Sequence, residues 1–250
     1  MRMAHVGAAA LFGLSGLLLA GATHAGEITV MVSPAFKEAY VELVPAFERA
    51  TENKVATLWV GNGAIITRLK GGETVDLAIL SEDGIDELAK LGKVAPGVPL
   101  GKSPIGVAVR AGAPKPDISS GEAVKRALLA AKSVALSTGP SGVYLSGVIQ
   151  KWGIAGEITP KIVRPASGEM IGDVIARGGA EIGVQQVSEL LAIKGITYLG
   201  PLPPDIQQIT VFSAAVHNGA KNPDGAKALI RFLTSPQAAP VVRRTGMEPG

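Results

Sequence analysis

Three stretches of this sequence can present unpaired backbone N–H groups to an anion: Ser33-Pro34, Gly61-Asn62-Gly63, and Ser137-Thr138-Gly139-Pro140-Ser141-Gly142. In each, small or polar residues follow a short β-branched run and precede an amphipathic one, the composition of a strand turning into a helix. The first turn of a helix leaves its N–H groups without intrahelical partners and carries the positive end of the helix dipole. Negative charge is favoured there, and glycine removes the side chain that would hold a ligand away from the backbone. The same residues also make ordinary helix caps, so one junction is not a site. A helix end contributes about 0.3–1 kcal/mol to a nearby charge, up to about 2 when partly buried, and a hydrogen bond to a charged group about 1.5–3, whereas micromolar affinity needs about 8 kcal/mol. Three or four converging junctions would suffice.

Other chemistries find little support. The chain has 0 cysteines and 3 histidines, of which His5 and His24 fall in the first 25 residues, leaving His217 alone. A thiolate metal site, a cysteine nucleophile and a histidine-based triad are therefore not expected. Acidic residues do not cluster at metal-ligand spacings, Gly71-Gly72 lacks the Lys-Ser/Thr of a phosphate-binding P-loop, and no G-x-S-x-G elbow occurs, so neither metal nor cofactor is expected. The formal net charge is +3 with both signs interspersed, and 4% of residues are aromatic, which argues against a nucleic-acid partner and is compatible with a small anion. Arg68, Arg110, Arg164 and Arg177 could each meet a carboxylate bidentately, or be solvated surface.

The elements that must position these residues alternate. Ile28–Val32, Val55–Val60 and Val75–Leu80 read as strands each followed by a helix, and a second block repeats the rhythm. Its strands are Ile105–Val109, Val134–Leu136, Ile162–Arg164, Ile182–Gln185 and Ile196–Leu199, with helices over Glu122–Ala131 and Val143–Trp152. The βαβ alternation predicts an α/β fold, a parallel sheet covered by helices. Phe36, Tyr40, Leu43 and Phe47 form one buried helical stripe, interrupted by Pro45, which predicts a kink or break near Val44. Gly200 to Asp205, with Pro201, Pro203 and Pro204, reads as a linker unable to hold a ladder. After it come a strand over Ile209–Val216, a helix capped by Asn222 and Pro223, and another opened by Ser235 and Pro236. This tail is too small to fold alone and is expected to complete the first block. One lobe would then hold 26–104 and 206–250 and the other 105–205, with a hinge and a cleft between them.

Arg2, the apolar run Ala8–Ala20 and small residues up to Ala25 have the layout of a secretory signal peptide over 1–25. Its apolar core is shorter than the about 20 residues of a membrane span. With no cysteine to carry a lipid, a free periplasmic protein is expected.

Taken in order, Ile28–Val32 leading to Ser33, the Gly61-Asn62-Gly63 turn, Gly72-Glu73-Thr74-Val75-Asp76, Gly139-Pro140-Ser141-Gly142-Val143-Tyr144 and Ile182-Gly183-Val184-Gln185-Gln186 resemble periplasmic solute-binding proteins of the molybdate-binding type. The resemblance covers essentially everything after the leader. It implies a two-lobed periplasmic-binding-protein-like fold, each lobe a mostly parallel sheet flanked by helices, that closes on an oxyanion and delivers it to an inner-membrane ABC permease. Receptors of this type are usually monomers. Carried over by position, the ligand would meet Ser33 or Ala35, Asn62 and Gly63, Ser141 through Tyr144 including Gly142 and Val143, Glu169 and Met170, and Gln185 and Gln186. Such proteins typically have a serine in the first loop, a serine-rich second turn and a tyrosine ending the late strand. Here the first match falls near Ala35 with Ser33 close by, the turn holds Asn62 and Gly63, and the tyrosine position reads Gln186. Amides at Asn62, Gln185 and Gln186 both donate and accept, which suits a flatter or larger anion such as an organic carboxylate, although the two glutamines are equally a solvent-facing strand end. Tyr144 either turns its phenol to the cleft or packs under its helix, and Glu169 is alternatively a first-turn acid. Proteins similar to this family also include isomerases of small tricarboxylates such as aconitate; on that reading Glu169, Tyr144 and Asp83 are the candidate acid/base groups.

Overall fold

The computed structural model describes residues 26–165 and 169–250, so the leader over 1–25 and the Ser167-Gly168 step lie outside the described residues. The first part of the chain forms β1 (Glu27–Val32), a 3-10 turn over Pro34–Phe36, α1 (Lys37–Thr51), β2 (Lys54–Trp59), α2 (Asn62–Lys70), β3 (Leu77–Ser81) and α3 (Glu82–Lys90). A 13-residue strand, β4 (Val98–Arg110), leads into α4 (Gly121–Ala130), β5 (Val134–Leu136), α5 (Pro140–Lys151), α6 (Ala155–Ile158), β6 (Ile162–Val163) and α7 (Ile171–Ala176). Then come β7 (Ile182–Gln186), α8 (Val187–Leu190), β8 (Ile196–Pro201), β9 (Ile209–Val216), α9 (Pro223–Leu233), α10 (Ala239–Arg244) and β10 (Glu248–Pro249).

The strands lie in the order β2-β1-β3-β9-β4-β7-β5-β6, with β8 and β10 also paired to β4. The βαβ units give parallel pairs, β1 with β2 and β3, and β5 with β6 and β7. The strands that carry the chain between the two blocks run antiparallel: β9 to β3, and β4 to β9, β7 and β8. The sheet is thus mixed, parallel outside and antiparallel through the middle.

Side chains alternate across the first block's sheet, as a two-residue period requires. Ile28, Val30, Val32, Leu77, Ile79 and Phe212 join Phe36, Tyr40, Phe47 and Leu229 in one apolar layer. Met31, Ala78, Leu80 and Ala215 join Ile65, Leu69, Ile85 and Leu88 in the layer on the opposite face. Burial on both faces explains why these strands read as continuous apolar runs. The second block repeats this, with Ile105, Val107, Val134, Leu136, Ile182 and Val184 in one layer and Ala108, Ala135, Ile171 and Ile175 in the other.

Four expectations are corrected. α1 runs unbroken through Pro45, because Tyr40, Leu43, Val44 and Phe47 are all buried on the stripe around it. β4 begins at Val98 rather than Ile105, absorbing Pro99 and Pro104 with a register shift between Pro99 and Gly101. β8 keeps its ladder through Gly200 and Pro201, opposite Val107 and Gly106; a register shift at Val107/Ala108 takes up the irregularity, and Gly200 at φ 137 adopts a backbone that other residues avoid. The last helix opens at Ala239, because Ser235 still closes α9 through its N–H to the Phe232 carbonyl. None of the helices among the described residues is long and apolar enough to cross a membrane.

Candidate functional site

Strand register determines where the junctions lie. Leu77 stands opposite Val216 and Ser81 opposite Phe212, so β3 and its parallel neighbour β1 point toward the Ile209 end of β9. Ile209 faces Pro104 on β4, and the next residue of β4, Ile105, faces Gln186, the last residue of β7. β5 runs parallel to β7, with Leu136 opposite Val184. The carboxyl ends of the parallel strands of both blocks therefore point at one line, Pro104-Ile105 on β4 and Ile209 on β9, and the junctions that follow them face each other across it. In α/β sheets that edge is where ligands are held.

Direct contacts cross this line. The Ser188 hydroxyl, on α8 just after β7, donates to the Ala35 carbonyl at 2.8 Å and lies 3.3 Å from the Ser103 hydroxyl. Gln186 is buried, and in the amide orientation that satisfies every neighbour its oxygen accepts from the Thr210 hydroxyl at 2.8 Å while its nitrogen donates to the Ser103 and Pro104 carbonyls at 3.1 and 3.2 Å. Its side chain thus ties β7 to both crossing strands, and its hydrogen bonds run to protein.

On the first block's rim, Ser33 follows β1 and caps the 3-10 turn, with its N–H on the Ile79 carbonyl at 2.8 Å and its hydroxyl making no cap bond. Ala35 is buried in the 3-10 turn behind it. Asn62 accepts the Ser81 N–H on Oδ1 at 2.8 Å, which joins the ends of β2 and β3 and leaves the amide N–H₂ without a protein partner among the described residues. Gly61 caps α2, and a side chain on Gly63 would meet open space. The backbone N–H groups of Asn62 and Gly63 likewise have no protein partner among the described residues, so this turn keeps donors available.

Across the line, Gly139 caps α5, and the first-turn N–H groups of Ser141 and Gly142 are open in the same sense. A Cβ on Gly142 would stand 1.9 Å from the Ser137 carbonyl oxygen, so only glycine lets this turn press onto the β5 loop. Ser141 is buried with its hydroxyl 3.4 Å from that of Ser137, and Val143 is 66% exposed. An open hollow of about 480 Å³ lies against this turn, walled by Ser137, Thr138, Gly142, Val143 and Arg164 among others. Arg164 donates to the Leu136 and Ser137 carbonyls at 3.1 and 2.7 Å, which holds a cation at the hollow; by contrast Arg68 is paired with Glu73 and Arg177 with Glu169.

Of the proposed acid/base residues, Asp83 lies in the junction after β3 and Tyr144 in the helix after β5. Tyr144 donates its phenol to the Ile206 carbonyl at 3.0 Å with its ring against the second block's core, so it packs. Glu169 precedes α7, whose cap is Met170, and is ion-paired with Arg177 at 2.8 Å; it does not begin the helix. Asp83 is exposed in the first turn of α3. His217 follows β9, its N–H donating to the Asp76 carbonyl at the opposite edge of the sheet.

Glu189 escaped the sequence reading. It lies in the only turn of α8, three residues after the cap Gln186, where an acid can reach back to the cap's N–H. Gln185, buried at the end of β7, donates Nε2 to Glu189 Oε1 at 2.9 Å, while its own Oε1 is buried without a partner among the described residues. Burial pushes the Glu189 carboxyl up to about 8, outweighing the bonds from Gln185 and the Gln186 N–H. The available signal was Gln-x-x-Glu at a strand end, an unusual form of the capping pattern.

Comparison with known proteins bears on the family and the fold. A sequence model of bacterial extracellular solute-binding proteins matches residues 28–248. A Pseudomonas sp. protein named aconitate isomerase is 38% identical over 229 residues, 89% of this chain and 87% of its own. Molybdate-binding protein ModA of Escherichia coli (strain K12) is 24% identical over 248 residues, 96% of this chain and 95% of its own. Among solved structures, the Azotobacter vinelandii periplasmic molybdate-binding protein superposes with a TM-score of 0.74 at 16% identity, covering 89% of this chain and 99% of that one. The sulfate-binding protein SubI from Mycobacterium tuberculosis H37Rv gives 0.73 at 22% identity, covering 90% and 87%. The structural likenesses establish the two-lobed fold; the sequence match, which spans nearly all the described chain, establishes that this chain belongs to the bacterial extracellular solute-binding protein family.

Proposed function

We propose that this chain is an exported, periplasmic protein that closes its halves, 26–104 with 206–250 and 105–205, around a small organic polycarboxylate, handing it to an inner-membrane ABC permease. The observation that carries the reading is the register: junctions with open N–H groups, at Asn62-Gly63 and Ser141-Gly142, end parallel strands of different halves that point at one line. Neutral donors from the Asn62 amide and backbone, with Arg164 on the far rim, suit carboxylates that need several directed hydrogen bonds. Ser33 and Ala35 form the wall beside them. The ligand drives closure only by touching both halves, because equal affinity for open and closed states shifts neither. A thermal-unfolding panel tests this: cis- or trans-aconitate or citrate should stabilise the protein by about 2.7 kcal/mol at about a hundredfold excess over Kd. Stabilisation by molybdate, tungstate or sulfate alone would refute the carboxylate.

A second reading, favoured by the relative named aconitate isomerase at 38% identity, is that the bound tricarboxylate is isomerised. The half-buried Glu189 at the same edge, its carboxyl pushed up by desolvation, supplies a group suited to proton transfer near neutral pH. Incubating the protein with cis-aconitate in heavy water and following the isomer ratio and deuterium uptake decides between capture and turnover; stoichiometric binding with no conversion would end the isomerase reading.

A further inference from the structure

We propose that Glu189, hydrogen-bonded to Gln185 where the two halves meet, takes a proton from the bound polycarboxylate and returns it; this rests on the isomerase reading. The placement is specific. Glu189 sits on α8, whose neighbouring residue Ser188 touches the Ala35 carbonyl of the other half, and it keeps part of its surface open while Gln185 behind it is buried. The Gln185 amide gives its N–H to Glu189 and holds a buried oxygen with no partner among the described residues. A buried acceptor left unsatisfied costs about 1–3 kcal/mol. A proton on Glu189 satisfies it: acid and amide can each donate to the other, a closed pair that stores one proton.

Burial holds that proton on the carboxyl up to about pH 8. The elements packed against α8 carry Lys37, Glu38, Glu42, Glu48 and Arg49 on α1, Lys102 and Arg110 on β4, and Asp173 on α7. Arg243 and Arg244, at the end of α10 near the Gly246 contact with α8, are paired with Glu248 and Glu42. None of these charges figures among the influences on Glu189, which are burial first, then the opposing bonds from Gln185 and Gln186. A base of this strength is matched to a weakly acidic C–H near neutral pH.

The step balances without an oxidant or cofactor. Ionised Glu189 takes a proton from the methylene carbon beside one carboxylate. The C–H electron pair becomes a new C=C bond, the old C=C pair moves to the former vinyl carbon, and that carbon receives the proton from Glu189, whose carboxylate is regenerated. The product is the same tricarboxylate with its double bond shifted and free to take the other geometry.

The test is turnover of cis-aconitate in heavy water by the full chain, wild type, E189Q and E189D, with aconitate binding measured in parallel. Wild type should incorporate deuterium at the exchanging carbons, with a rate that climbs as pH rises through about 8. E189Q should lose about 10²–10⁴-fold in turnover while binding aconitate as before, because its amide still closes the pair with Gln185. E189D should keep part of the rate. Wild-type turnover in E189Q, or a wild-type rate that is flat across pH 8, would overturn the assignment while leaving the isomerase reading intact. No turnover by wild type would overturn the reading itself, and the assignment with it. Were E189Q to misfold, the wild-type pH profile would still decide.

Discussion

Glu189 and Gln185 show what a single residue contributes that its position in the sequence did not reveal. The glutamines read as ligand-facing amides or as a solvent-facing strand end, whereas both are buried, and which amide faces what depends on strands distant in sequence: Gln186 is taken by Thr210 and by the Ser103 and Pro104 carbonyls, and Gln185 by an acid four residues on. The acid was invisible because its interest lies in burial. Its pH linkage is testable. A carboxyl raised from 4.5 to about 8 in the folded state stabilises the protein fully below about 4.5, and that stability is lost as pH climbs to about 8. His217, held below its ordinary value by burial and then by Lys93, acts in the opposite sense, lowering stability as pH falls below 6.5. Chemical denaturation of wild type and E189Q from about pH 4 to about pH 9 separates them: the difference between the two proteins should shrink or reverse steadily across the window of Glu189 alone. A constant difference would place Glu189 in an ordinary ionised state.

At the scale of elements, periodicity revealed most of the strands and helices because β1, β3, β5 and β7 are buried on both faces, which makes them largely apolar. It failed at β4 and β8, where Pro99, Pro104 and Pro201 read as breakers and tertiary pairing with register shifts accommodates them. The first turn of α5 offers a sharp test. G142A must push Cβ against the Ser137 carbonyl, so it should cost about 1–3 kcal/mol of stability and weaken ligand binding. G156A on α6 meets open space away from that hollow and should leave binding unchanged, gaining up to about 1 kcal/mol in helix propensity. Calorimetric titration with aconitate compares them; equal affinity in G142A would detach this turn from the site. Asp76 makes the converse point. It closes one of the stretches that carry the family resemblance, and its carboxylate accepts the Thr29 N–H and hydroxyl at 2.7 and 2.8 Å and the Asn222 N–H at 2.7 Å, at the edge remote from the junctions. Burial alone would raise its pKa, but these bonds and one from the Lys221 N–H hold it below the usual carboxylate range. D76A should cost about 3 kcal/mol by leaving buried donors unpaired, with ligand affinity unaltered in the folded protein.

The whole molecule depends on two strands. β4 pairs with β9 up to Pro104 and with β7 from Ile105, so one continuous strand serves both halves, and β9 returns the chain beside it. The alignment of strand ends was not legible in the sequence, because it follows from antiparallel register that no local pattern encodes. That alignment makes an interlobe site physically reasonable, since donors from separate halves are each too weak to bind alone and must act together. Calorimetric titration of the mature chain with trans-aconitate and, separately, molybdate tests this most directly. We expect saturable binding of one aconitate per chain, weakened by substituting Asn62 on one half or Gly142 on the other, with molybdate far weaker. Absence of aconitate binding, or binding that survives either substitution undiminished, would contradict a polycarboxylate site shared between the halves.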